Sequence, residues 1–80
     1  MAPDGKRIRR LRETAAATDP LFPQTMLAFA EYVGVDPGYL SRIETGRSMS
    51  ASAEWLRRVA SGLGISVLAI ASIDEEEVAS

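Results

Sequence analysis

The chain predicts an all-α fold, a compact five-helix bundle with an extended loop between the first and second helices. Three features carry this expectation. Apolar residues recur at three- and four-residue spacings, a capping residue precedes each such segment, and Gly or Pro closes most of them. Eighty residues, 46% hydrophobic and 25% charged, suit one domain with one modest core. A core of that size is built from local helix–helix contacts and leaves little room for a large catalytic cleft.

The first helix is expected over residues 5–17, capped by Asp4, with Ile8 and Leu11 on its apolar side and an alanine run that favours continuation. Pro20 and Pro23 remove amide donors and break helix across residues 18–24. Leu21 and Phe22, in the middle of this loop, are expected to fold back over the core, a burial worth about 1.5 to 3 kcal/mol each. Thr25 caps a second helix that reaches Val33, and Gly34 supplies its left-handed end. Asp36 and Pro37 then open a third helix over residues 37–45, closed by Gly46.

After a polar connection at residues 48–50, Ser52 caps a fourth helix running through Gly62. Its apolar side carries Trp55, Leu56, Val59, Ala60 and Leu63, and Trp55 reads as core, with a subunit interface as its other reading. Gly64 turns the chain, and Ser66 caps the apolar run 67–71. That run is read as a fifth short helix, although its β-branched content leaves a strand as the competing assignment. The domain is expected to span residues 1–73, followed by an acidic, solvated tail at 74–80.

With no Cys and no His, the chain lacks the usual zinc and copper ligands and the commonest nucleophile–base pairs. No carboxylate pair or phosphate loop is visible, so the expectation is a non-enzyme without metal or cofactor. The basic opening has no apolar segment behind it, no stretch reaches the length of a membrane span, and cysteine is absent; a cytoplasmic location follows as an expectation. The net charge of -2 is unevenly placed: all nine Lys and Arg precede residue 74, whereas Asp74, Glu75, Glu76 and Glu77 hold four of the eleven acids. Lys6, Arg7, Arg9, Arg10 and Arg12 concentrate five cations at the first helix, and attraction to phosphate follows that local field.

Residues 26–45 carry the functional signal. Apolar Phe29, small Ala30, apolar Val33, then Gly34, Val35, Leu40 and Ile43 are the residue types that a tight corner between two helices requires. Ala30 admits a crossing helix, Gly34 accepts the turn, and Val35 plugs the gap. Leu40 and Ile43 then face the core, which turns Tyr39, Ser41, Arg42 and Thr45 outward.

The run from Gly34 through Asp36, Pro37, Leu40, Ser41, Arg42, Ile43, Glu44 and Gly46 to Arg47 resembles the phage-repressor and Cro superfamily of helix-turn-helix DNA-binding domains, also called the xenobiotic-response-element type. The opening from Gly5 to Arg12 and the segment from Trp55 to Ile65 extend the likeness over roughly residues 5–70. The resemblance implies a five-helix fold, a third helix in the major groove of double-stranded DNA, and a sequence-specific transcriptional regulator, a repressor acting as a homodimer. It also implies a structural ion pair between Arg12 and Glu44. Arg42, Ser41, Tyr39 and Gly38 are the candidate base contacts, with Arg42 suited to guanine. Gln24, Thr25, Met26, Thr45, Arg47 and Ser48 are the candidate phosphate contacts.

Three departures from the family pattern stand out. The link at residues 14–23 is about seven residues longer than usual. Met26 occupies the slot where many members carry a phosphate-clamping glutamine, and Pro37 and Gly38 stand where base-reading amides are common. Val67, Leu68, Ile70 and Ile73 offer apolar area for a dimer interface. The second reading is a protein-interaction module on the same fold, an antitoxin or phage or plasmid accessory factor, engaging a protein partner through the acidic tail or the 14–23 loop.

Overall fold

Four α-helices form where their caps place them. In the computed structural model, which describes residues 1–72, these are α1 (Gly5–Thr18), α2 (Met26–Val33), α3 (Pro37–Glu44) and α4 (Ala53–Leu63). The side chains of Asp4, Thr25, Asp36 and Ser52 accept from the amides of Arg7, Ala28, Tyr39 and Trp55. Each cap satisfies a donor that the helix itself cannot, at a typical value of about 1 kcal/mol. Gly34 (φ 78°) and Gly64 (φ 70°) end α2 and α4 in the left-handed region that glycine enters without a steric penalty.

The expected fifth helix does not form. Val67–Ala69 make a single 3-10 turn, capped by the Ser66 hydroxyl, and the chain then enters a two-residue strand. That strand, β2 (Ala71–Ser72), pairs antiparallel with β1 (Ala2–Pro3), with Ala2 opposite Ser72 and Pro3 opposite Ala71. A five-residue segment is too short to offset helix nucleation. The Ile70 carbonyl instead accepts from the Asp4 amide at 2.7 Å. The all-α five-helix bundle is therefore corrected to four α-helices with a small β-ribbon. Met1 extends the tie, exchanging backbone hydrogen bonds with Ala51 at 3.2 and 3.4 Å.

The helix break between α1 and α2 falls where expected to within one residue: α1 continues through Thr18, so the first half of the 14–23 link is helical. The remainder is a tied turn. Asp19 accepts from the Leu21 amide through its carboxylate and from the Phe22 amide through its carbonyl. The Gln24 side-chain amide donates to the carbonyls of Ala16, Asp19 and Phe22 at 3.0, 3.2 and 2.8 Å. This turn sends the two apolar residues in opposite directions. Phe22 packs its ring 5.7 Å from that of Phe29, as expected, whereas Leu21 remains 93% exposed, against expectation.

Ile8, Phe29, Leu40, Ile43, Leu56, Val59 and Ile70 are the largest fully buried side chains, so every α-helix and the segment before β2 contribute to one core. Two glycines set how closely its helices approach. A Cβ on Gly62 would meet the Val33 Cγ1 methyl and the Phe29 ring, so α4 lies almost directly on α2. A Cβ on Gly5 would collide with the Ile43 carbonyl, which is backbone and has little freedom to yield. Gly5→Ala is expected to destabilise the domain by about 1 to 3 kcal/mol through overpacking. Leu21→Ser should stay within about 0.5 kcal/mol. Urea denaturation of both variants beside the parent measures the contrast.

Candidate nucleic-acid interface

The corner between α2 and α3 is built as the residue types required. Phe29 and Ala30 are buried on α2, Leu40 and Ile43 on α3, and Val35 fills the angle between them. The amides of Gly34 and Val35 both donate to the Ala30 carbonyl at 2.9 Å, closing the end of α2. Arg58, from α4, adds an outside clamp: its guanidinium donates to the Gly34 carbonyl at 3.1 Å and to Glu54 at 3.2 Å. The turn is thereby held by backbone, core and a cation together.

The far end of α3 is held by the Arg12–Glu44 pair. Arg12 Nε and Nη2 donate to Glu44 Oε2 and Oε1, both at 2.9 Å, a two-point fork between side chains only 8% and 5% exposed. The resemblance implied this pair, and the structure contains it. The hydrogen bond with Glu44 holds the Arg12 guanidinium pKa above its usual value, outweighing the opposing effect of burial. Glu44 thus fixes the helix to α1 from within instead of facing solvent.

On the outer side of α3, Gly38, Arg42 and Thr45 are exposed, while Tyr39 and Ser41 are half-buried. Tyr39 does not point freely outward as expected. Its hydroxyl donates to the Ser50 carbonyl at 2.6 Å, and its ring meets Trp55 edge-on at 5.4 Å and 88°. Tyr39 instead covers the corner, and its acceptor was not readable from residue types, because it is a backbone carbonyl brought up by the connection to α4. The Trp55 indole N–H is buried without an acceptor among the described residues.

The candidate phosphate residues fall in two places. Thr25 caps α2, and its hydroxyl takes the Ala28 amide, leaving the amides of Met26 and Leu27 beyond intrahelical acceptors. Gln24 lies beside them, but its amide nitrogen is already committed to three carbonyls. Beyond α3, Thr45 and Arg47 are exposed and Ser48 is half-buried. The Thr45 hydroxyl donates to the Ser41 carbonyl at 2.8 Å, and the Ser48 amide to that of Arg42 at 3.0 Å. Lys6, Arg9 and Arg10 line a groove with Glu13, Glu44 and Thr45, with Arg9 paired to Glu13 at 3.5 Å, so three cations of α1 flank the end of α3.

The four residues expected at a dimer interface separate. Ile70 is fully buried in the domain's own core, and Val67 is half-buried against it, whereas Leu68 is 67% exposed. Ile73 lies outside the described residues, as does the acidic segment 74–80. Among the described residues, no group of three or more carboxylate, imidazole or thiol side chains is placed to hold a metal, and no helix is long and apolar enough to cross a membrane.

A family model described as a helix-turn-helix domain matches residues 5–72, and the chain belongs to that family. It is thus a domain of the DNA-binding class, whose usual setting is the regulation of transcription. No curated protein and no solved structure matches it.

Removing one partner of the buried fork leaves a charge without compensation. Glu44→Ala is expected to cost about 3 to 5 kcal/mol, whereas the double change Arg12→Met with Glu44→Leu should recover most of that loss. Thermal unfolding of Glu44→Ala, of Arg12→Met and Glu44→Leu singly, and of the double variant tests this, and additive losses in the two matching single changes would contradict it.

Proposed function

We propose that this domain is a sequence-specific double-stranded DNA-binding transcriptional regulator of the phage-repressor and Cro type, a repressor that occupies its operator as a homodimer. The observation that carries the reading is the family match across a rigid corner whose α3 presents Gly38, Arg42 and Thr45 to solvent. In this reading α3 enters the major groove and Arg42 donates to the O6 and N7 of a guanine. Ser41 lies at the edge of that contact. The amides at Met26 and Leu27, together with Thr45, Arg47 and Ser48, take the flanking phosphates, and Lys6, Arg9 and Arg10 supply attraction at longer range. Exposed Leu68 and half-buried Val67 are the part of the proposed dimer surface that the described residues contain.

A short α3 reads few base pairs, so pairing of two copies is what gives an operator useful length, with half-sites about 34 Å apart. The second reading, a protein-interaction module, is favoured by Leu21, which a tied turn holds 93% exposed. Duplex binding separates the two. Selection from random duplexes should return a two-fold repeat, and the logarithm of affinity should fall linearly with that of salt concentration. Arg42→Ala should erase discrimination of about 5- to 150-fold at one base of each half-site. Failure to retain any duplex at low salt would overturn the DNA reading and favour the protein-binding one.

A further inference from the structure

The start of α3 offers little to a base edge. Pro37 and Gly38 carry no side-chain donor, and the Asp36 carboxylate is taken by the Tyr39 amide at 2.8 Å. The Arg42 side chain, however, does not extend straight from its own position. It leans toward the amino-terminal end of α3, as long side chains on helices do, and crosses the face of Tyr39 with its guanidinium carbon 5.6 Å from the ring centroid. A Cβ built on Gly38 would lie 3.7 Å from Arg42 Nη1. The guanidinium therefore stands one turn nearer the helix start than its backbone, beside the space that a side chain at residue 38 would fill.

Tyr39 is fixed on three sides. Its hydroxyl is bonded to Ser50, its ring packs at 88° to that of Trp55, and its backbone belongs to α3. Arg42 crosses a face of this anchored ring, which makes it a stationary platform for an otherwise flexible cation. An arginine held in one place before binding loses less rotamer freedom when it binds.

Building on the DNA reading above, we propose that Arg42 reads the base facing residue 38 in place of the missing side chain, with Tyr39 as its positioning residue and Gly38 as a specificity determinant by its lack of a side chain. Three features of α3 then share one explanation. Pro37 starts the helix without needing a donor, Gly38 leaves the space, and Tyr39 holds the guanidinium beside it. Tyr39, a candidate base contact from the sequence, acts here through Arg42.

The test is selection from random duplexes with the parent, Arg42→Ala, Tyr39→Leu, Tyr39→Phe and Gly38→Leu, each checked for folding by circular dichroism. The parent is expected to prefer guanine at one position of each half-site, and Arg42→Ala to lose that preference. Tyr39→Leu should weaken it about 2- to 5-fold, while the salt dependence of binding stays unchanged because no charge is removed. Tyr39→Phe keeps the ring and should retain most of the preference, which separates positioning from general support of the fold. Gly38→Leu adds bulk on the exposed start of α3, asks only the capping Asp36 carboxylate, 3.2 Å from the new Cβ, to yield slightly, and should weaken or relocate the preference even if Tyr39→Leu does not fold. If Arg42→Ala abolishes the guanine preference and both Tyr39→Leu and Gly38→Leu leave it intact, the positioning proposal is overturned and base reading by Arg42 stands. If Arg42→Ala leaves the selected sequence unchanged, base reading by Arg42 fails and the positioning role with it.

Discussion

A helix of eight residues does not persist by itself in water, because nucleation consumes most of what so few hydrogen bonds return. α3, Pro37–Glu44, is that short, and it is the helix that the DNA reading places in the groove. Its order is imposed from outside. Asp36 caps one end, Leu40 and Ile43 press its inner side into the core, and Glu44 locks the other end to Arg12 through two hydrogen bonds. The fork fixes direction as well as distance, since a planar guanidinium accepts a carboxylate squarely in only a few orientations. Gly5 completes the arrangement by letting the start of α1 come against the backbone of Ile43.

The consequence is a division of labour along α3. Its inner residues and its last residue are immobilised, so its outer residues move only through their own rotamers. Arg42 has the most such freedom, and it is the one whose guanidinium has a ring to lie on. Tyr39 sits between the two regimes, half in the core and half under the cation. The surface around it combines a rigid frame with a small number of adaptable groups, which the DNA reading puts to use in telling sequences apart.

Much of this was legible in the sequence, and the legible part is local. Asp4, Thr25, Asp36 and Ser52 announced four helix starts because a cap acts within one turn of its own position, and Gly34 and Gly64 announced two ends for the same reason. The buried corner residues were readable because helical spacing fixes which positions share a face. What escaped is non-local or depends on backbone. The ribbon joins residues about seventy positions apart through two pairs, too few to leave an alternating pattern. The close approaches at Gly5 and Gly62 leave only a glycine behind, which reads equally well as a turn. Leu21 was misplaced because apolar character argues for burial but does not supply direction; the Asp19 turn does. At the candidate site, the Arg12–Glu44 pair was anticipated through family likeness, whereas the anchoring of Tyr39 depends on a main-chain carbonyl that side-chain types do not reveal.

The ribbon of Ala2–Pro3 with Ala71–Ser72 also sets two distant stretches of the chain side by side. Residues 2 and 72 share one corner, bordered by the start of α1 and by the Thr45–Met49 segment beyond α3. A fluorophore carried by either residue therefore reports on the same stretch of surface. A label meant to stay clear of that corner is better carried by the Asp19–Gln24 turn, where Leu21 already projects into solvent.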